Sequence, residues 1–346
     1  MAVHTSRKRY FEEKEQTKVK YIISLVTIWG MLLLSGCSAS LPNLSMTYHG
    51  NGCPFVVDAQ DYCLIRENDQ MMVMERDTDK QYPLLNNPLE TEDASQMVTG
   101  VKAYGNDIYF LGYTSDLEPV IRVINLDTGE SRELYLEQTK ERKIELFGVT
   151  LWEETVGRYD TLYNQLLDFF ILNGQIILIR TESLALYDGK RETPLYEGYF
   201  KDVACDGSSI FFTDEEGVLC QLEFPGRNIE RYTDIRPSHT IAMDNHVYFL
   251  DPQRNNQLMV YDVDAHKASV VLEGEWSSLA VTDHYIWAES QGELYMSDLT
   301  GSQYQKLSLP PFDDYAVVNS EQEIAVIQYD PSGTPEISFY PRTGAE

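Results

Sequence analysis

Carboxylates stand at one recurring point of this 346-residue chain. Glu67 and Asp69, Asp116 and Glu118, Asp214 and Glu215, Asp251, Glu289 and Asp330 each come at or just beyond the end of a short β-rich run. Two such groups held close together could divide general-acid and general-base roles, because the charge on one raises the pKa of the other. His246 and His284 form a second candidate pair, each following a turn and opening such a run ("DNHVYFLD", "TDHYIWAES"). Their matching positions read better as turn residues copied along with the surrounding phrase than as a catalytic pair. Nucleophile and metal chemistry have no visible carrier, since the chain contains no G-x-S-x-G, H-E-x-x-H, G-x-x-x-x-G-K-[ST] or C-x-x-C pattern. No catalytic residue is assigned, and neither a metal nor a cofactor is expected.

A repeat distributes these residues. A β-rich run, a Gly/Asn/Asp turn, a second run with aromatic residues, a polar loop and a third run recur. The phrase is plainest in "VACDGSSIFFTDEEGVLCQLEFPG" from Val203, "IAMDNHVYFLDPQRNNQLMVYDVDAHK" from Ile241 and "LAVTDHYIWAESQGELYMSDLTGS" from Leu279. Weaker copies begin near Phe55, Val101, Phe169 and Tyr315, which makes seven. With Leu64, Ile108, Ile176, Ile210, Val247, Ile286 and Ile324 marking the second run, the spacings are 44, 68, 34, 37, 39 and 38. That period fits four short antiparallel strands per unit, the blade of a β-propeller. A sandwich would show turns at similar intervals but gives no reason for whole units to resemble one another. The expected fold is therefore all-β: a seven-bladed β-propeller of four-stranded antiparallel blades.

In such a ring the loops between second and third strands share one face. The carboxylates would then make an acidic rim at the channel mouth, solvated or able to take a cation or a basic partner. Phe200 and Trp276, at the entrance to first strands, could stack on a sugar or peptide, although inter-blade packing is the plainer use of both. The one long spacing implies an insertion at about 137–165, which contains Phe147, Trp152 and Tyr159 and could itself be a contact element. The last copy stops after its third strand. "LSMTYHG", Leu44 to Gly50, is expected to supply the missing fourth, so that the ring over 44–346 closes on its N-terminal strand and leaves no exposed edge.

Several of these runs resemble a known group. "IFFTDEEG" (Ile210 to Gly217) and "VYFLD" (Val247 to Asp251) are similar to the Tyr-Trp-Thr-Asp strand of low-density-lipoprotein-receptor-type propellers, and "ELYMSDLTGS" resembles the strand and turn that follow it. Propeller domains of unknown function in bacterial lipoproteins share this look. The resemblance is best from Phe200 to Ser302. Trp is absent from the second strands apart from Trp287, and the first and third copies lack the terminal Asp. It implies the fold and carries no reaction with it.

The first residues have a different character. Arg7, Lys8, Arg9, Lys14, Lys18 and Lys20 precede an uncharged stretch from Tyr21 to Leu34. Its 14 residues are too few for a comfortable bilayer span, which takes about 20. A basic segment followed by a short apolar one reads as an export signal. Leu34-Ser35-Gly36-Cys37 follows at once and resembles the bacterial lipoprotein signal. That resemblance implies a diacylglycerol thioether on Cys37, cleavage after Gly36 and a further acyl chain on the new N-terminus, leaving 37–43 as a short tether. The expected location is the extracytoplasmic side of the cell membrane, reached through the lipid on Cys37.

With 27 basic and 55 acidic residues the net charge is −28, which excludes nucleic acid as a partner because phosphate binding needs a basic footprint. Cys53, Cys63, Cys205 and Cys220 are even in number, as disulfides in an exported chain require. A whole strand would separate Cys205 from Cys220, at two steps of ~4.8 Å each and so beyond the ~7 Å limit between Cα atoms. A hairpin turning at Gln60-Asp61 would set Cys53 opposite Asn68 rather than Cys63. Free, buried thiols are expected. The functional expectation is a non-catalytic binding or scaffold propeller for an extracytoplasmic protein, peptide or glycan. The alternative is a glycan- or peptide-directed hydrolase or lyase using carboxylates at the channel mouth.

Overall fold

The computed structural model describes residues 46, 56–67, 70–76, 78, 80–84, 99–113, 118–136, 139–146, 149–157, 165–318, 321–331 and 335–342. All lie in the compact unit Leu41–Glu346. They form seven antiparallel sheets in sequence order, plus one separate hairpin. Alternation within the strands explains the arrangement: one parity of each strand faces the preceding blade, the other faces the next, and both must be apolar. Phe212 and Cys220 of the fourth blade accordingly pack towards the third, whereas Phe211 and Leu219 pack towards the fifth.

The first blade comprises Val56–Asp58, Tyr62–Glu67, Gln70–Glu75 and Gln81–Pro83. The second comprises Thr99–Tyr104, Asp107–Tyr113, Pro119–Asn125 and Ser131–Leu136, and the third Leu166–Leu172, Gln175–Arg180, Ser183–Tyr187 and Glu192–Glu197. Phe200–Cys205, Ser209–Asp214, Leu219–Glu223 and Ile229–Tyr232 make the fourth, and Ser238–Met243, His246–Asp251, Gln257–Asp262 and Lys267–Leu272 the fifth. Ser278–Val281, Tyr285–Ser290, Glu293–Asp298 and Tyr304–Lys306 make the sixth; Asp314–Val318, Glu323–Tyr329 and Pro335–Pro341 make the seventh. First strands touch first strands of neighbouring blades, as Phe200–Cys205 does Ser238–Met243, and so line the axis. The first strand of blade one also touches that of blade seven, which closes the ring.

Each seam between blades holds one apolar cluster. Trp287, Leu294 and Met296 meet Tyr315, Ile324 and Val326 between blades six and seven. The closing seam joins Val56, Cys63 and Ile65 to Val318, Ala325 and Ile327. The seven second-strand markers, Leu64 to Ile324, are all 0% exposed, so the repeat read from spacing is a repeat of core positions.

One expectation needs amendment. Of the segment expected to complete the last blade, only Met46 is described. Its N–H donates to the Ile171 carbonyl at 2.8 Å, and its side chain is buried with Tyr109, Leu111 and Phe169. Met46 thus lies on the free edge of the third blade's first strand, not on the seventh blade. Next to a two-residue turn, the pair Ile171 and Ile176 points its backbone groups away from each other, which leaves the Ile171 carbonyl open at the channel edge. Among the described residues the seventh blade has three strands, and the outermost is bounded by Pro335 and Pro341, which cannot extend a ladder. The inserted segment contains a two-stranded hairpin, Thr139–Leu146 with Val149–Gly157, in a sheet of its own. The Trp152 backbone pairs with Ile144 in that hairpin.

Cys63, Cys205 and Cys220 are free and buried, while Cys53 lies outside the described residues. Burial pushes the thiols of Cys63 and Cys205 up to about 12 and that of Cys220 up to about 11, which leaves them protonated and unreactive. Among the described residues no helix is long and apolar enough to cross a membrane.

Candidate functional site

The two ends of the channel differ in chemistry. One is the loop face, where first strands begin and second strands end, as the pairing of Phe200 with Asp214 shows. The expected rim carboxylates sit here, and most serve their own turns. Asp214 is buried; it accepts the N–H groups of Glu216 and Val218 at 3.0 Å and pairs with Arg231 at 2.6 Å. Asp251 caps a single helical turn by accepting the Gln253 N–H at 2.9 Å and pairs with Arg254 at 3.3 Å. Glu289 accepts the Gly292 N–H at 2.6 Å. Glu215 is exposed, whereas Glu118 and Asp330 are half-buried. The Glu67 backbone ends a second strand, and Asp69 and Asp116 lie outside the described residues. The carboxylates share a face, but those described in detail close turns instead of converging.

The aromatic candidates are likewise engaged. Phe200 is 7% exposed and meets Tyr196 and Phe212 edge-on; Trp276 is 5% exposed and meets Tyr295 edge-on. Large apolar side chains exposed at this mouth include Tyr199, beside Phe200, Leu167, in a bulge of the third blade, and Tyr329, at the end of the second strand of blade seven. Strand alternation could have selected Tyr199, since its neighbour points into a seam.

Bulges shape the same mouth. The first strands of blades two, four and five slip register at matching points, placing Gly100, Asp202 and His239 in the left-handed region at φ 54, 51 and 52. Such bulges redirect side chains next to sites. Glycine is required at the first position, where a Cβ would stand 2.3 Å from Asp168 Oδ1. Asp168 instead meets Lys102 Nζ at 2.5 Å, and that ammonium also lies 4.7 Å from the Phe169 ring centroid. Burial pushes the Asp202 carboxyl above the usual carboxylate range, with Lys201 and His239 pulling the other way.

Asp214 yields a pH prediction. Its burial would raise the carboxyl, but the Val218 N–H, the Arg231 guanidinium and the Glu216 N–H together hold it below the ordinary 3.8. A carboxyl depressed on folding contributes stability that is present above its unfolded pKa and lost as pH falls through the folded one. The urea midpoint is therefore expected to fall below about pH 4, and Asp214→Asn to flatten that fall. An unchanged acid slope in the variant would remove Asp214 from the account.

The opposite end, the turn face, carries a cavity of about 530 Å³. It is built where the first strands of blades one, five, six and seven end, at Asp58, Met243, Val281 and Val317. The turns after them add Thr282, Asp283, His284 and Tyr285 from blade six and Glu321 and Gln322 from blade seven, and Arg342 completes the wall. His284 Nδ1 lies 3.2 Å from Glu321 Oε2 while its backbone N–H donates to Glu321 Oε1 at 3.3 Å, so one carboxylate orients the ring across a blade boundary. The Glu321 backbone is left-handed at φ 68. Thr282, the aliphatic hydroxyl nearest in sequence to His284, donates to the Tyr285 carbonyl at 3.1 Å and accepts from Trp287 Nε1 at 3.3 Å. It is occupied in the fold and makes a poor nucleophile. His246 lines no part of this cavity; its Nδ1 sits 2.7 Å from its own turn's Asp244 carbonyl. The two histidines that match in the repeat are thus separated by the tertiary structure. Among the described residues no three His, Cys, Asp or Glu side chains are grouped to hold a metal.

Comparison with known proteins supports the fold. No family model matches the chain, and no curated protein does. Oligogalacturonate lyase from Vibrio parahaemolyticus is similar with a TM-score of 0.57 at 10% identity, over 86% of this chain and 91% of the other. YCF48 bound to a D1 peptide gives a TM-score of 0.53 at 12% identity, covering 87% of this chain and 98% of the other. A chain of the mitotic checkpoint complex also gives 0.53, at 10% identity over 87% and 92%. At such identities the likeness concerns the β-propeller fold alone.

Proposed function

We propose that this chain is a lipid-anchored, extracytoplasmic propeller that binds a protein, peptide or glycan partner without transforming it. The observation that carries the reading is the turn-face cavity, whose histidine and carboxylate are tied to each other and whose neighbouring hydroxyl is spent on the fold. Such a constellation can hold a ligand but lacks an activated nucleophile. Similar rings occur in a peptide-bound protein and in a multiprotein assembly, which is compatible with a binding role. The anchor rests on the basic leader, the apolar run and Leu34 to Cys37. The strands at 210–214 and 247–251 favour the low-density-lipoprotein-receptor-type branch of propellers. Proximity labelling and crosslinking of the tagged full chain in its native cell tests the reading. Enrichment of an envelope protein, peptide or glycan over a soluble control supports it, and labelling no different from that control refutes it.

A second reading is favoured by Asp202 alone. A carboxyl raised by burial, set on a left-handed bulge beside His239 at the channel mouth, is suited to general-acid work in a hydrolase or lyase. Turnover of a glycan and peptide panel that is lost in Asp202→Asn, with the fold retained, is the expected sign. An inactive wild-type chain across that panel would dismiss it.

A further inference from the structure

Charge pairing inside the turn-face cavity is incomplete in a specific way. Asp58 is paired with Arg76, which also reaches Glu323 at 3.7 Å, and Glu321 is engaged by His284. Two lining groups of opposite sign are left: Arg342 and Asp283 have no side-chain hydrogen bond or ion pair among the described residues. The Arg342 guanidinium lies over the Tyr285 ring, 4.6 Å from its centroid, and Tyr285 in turn meets Trp287 edge-on at 6.0 Å. Its backbone is tied down as well, the Arg342 N–H donating to the Gln322 carbonyl at 2.7 Å. A guanidinium held over a ring still has N–H donors to offer, and its N–H fork is the edge that takes a carboxylate bidentately. Met243 and Val281, both buried, and Val317 supply an apolar wall to the same cavity.

A positioned cation, an exposed anion and an apolar wall in about 530 Å³ match one ligand chemistry. We infer that the cavity binds a short zwitterionic peptide with apolar side chains. Its terminal carboxylate lies on Arg342, its terminal ammonium towards Asp283, and its side chains against Met243, Val281 and Val317. The assignment rests on the binding reading above and deepens it. The net charge of −28 does not oppose it, because the ligand carries no net charge and the other carboxylates facing it, Asp58 and Glu321, have their own partners.

Calorimetric titration of the full chain in detergent with Leu-Leu, N-acetyl-Leu-Leu, Leu-Leu-amide and Ser-Ser tests it. Leu-Leu is expected to bind, and each terminal block to weaken binding about tenfold or more, the worth of one charge-assisted contact. Ser-Ser is expected to bind at least about tenfold more weakly, having lost the apolar wall. Arg342→Gln should weaken Leu-Leu about tenfold while leaving the amide unchanged; Asp283→Asn should do the same for Leu-Leu while leaving the acetylated peptide unchanged. Unchanged thermal melting in both variants secures the comparison. Failure of the wild-type chain to bind Leu-Leu, or binding indifferent to both substitutions, overturns the assignment. If crosslinking in cells captures a partner while no dipeptide binds, the ligand class is wrong and the binding reading stands. If Leu-Leu binds as described and crosslinking captures nothing, the cavity assignment holds and the scaffold reading falls.

Discussion

Arg180→Met is expected to lower the stability of the ring by about 3–5 kcal/mol, the usual cost of removing one member of a buried ion pair. Arg180 ends the second strand of blade three with its side chain wholly inaccessible, and the Glu192 side chain opposite is 3% exposed. Arg180 Nη2 donates to the Tyr135 hydroxyl at 3.0 Å and lies 3.5 Å from Glu192 Oε2, while that hydroxyl donates to Glu192 Oε1 at 2.7 Å. Methionine keeps the apolar stem but removes the charge, so the Glu192 carboxylate stays in the seam without this cation. Tyr135 belongs to the last strand of blade two, immediately ahead of the inserted hairpin, so the network joins two blades where the repeat is interrupted. Urea unfolding reads the loss. Arg180→Met/Glu192→Leu should recover most of it, because replacing both partners by apolar groups removes the stranded charge. A single variant within about 1 kcal/mol of the parent would mean that water reaches Glu192.

If Cys37 carries the proposed lipid, Cys37→Ser is expected to abolish acylation altogether. Metabolic palmitate label should fall to background, and the mass gained by the mature chain over its sequence should vanish. The consequence for location follows from chain count: each buried CH₂ contributes roughly 0.8 kcal/mol, and one acyl chain holds a protein only marginally where two or three hold it stably. Placed behind a leader that is cleaved without lipid transfer, the same ring should move from the membrane to the soluble fraction. The ring itself, beginning at Val56 among the described strands, should melt unchanged. A membrane-bound serine variant lacking the apolar run 21–34 would refute the anchor.

Much of the fold was legible because a propeller is a local rule applied seven times. Each second strand must bury both faces between neighbouring blades, so Leu64, Ile108, Ile176, Ile210, Val247, Ile286 and Ile324 had to be apolar at a regular spacing, and all are wholly inaccessible. The free thiols were legible for a similar reason, since strand pairing sets Cys205 opposite Ile210 and Cys220 opposite Phe212. Site chemistry was less so. An aspartate that caps a turn and one that faces a ligand have the same composition and loop position, and only hydrogen-bond partners separate Asp214 and Asp251 from Asp202.

The sequence by itself determined the β class, the number of blades and the core register, because these follow from alternation and spacing within a few tens of residues. The tertiary structure alone decided that Met46 lies on blade three, that His284 parts company with His246, and that Asp58, Asp283 and Arg342 share one cavity. Those facts depend on ring closure, which brings the ends of the chain to a common seam. Closure is set by the summed packing of every blade on the next, and no local pattern records it.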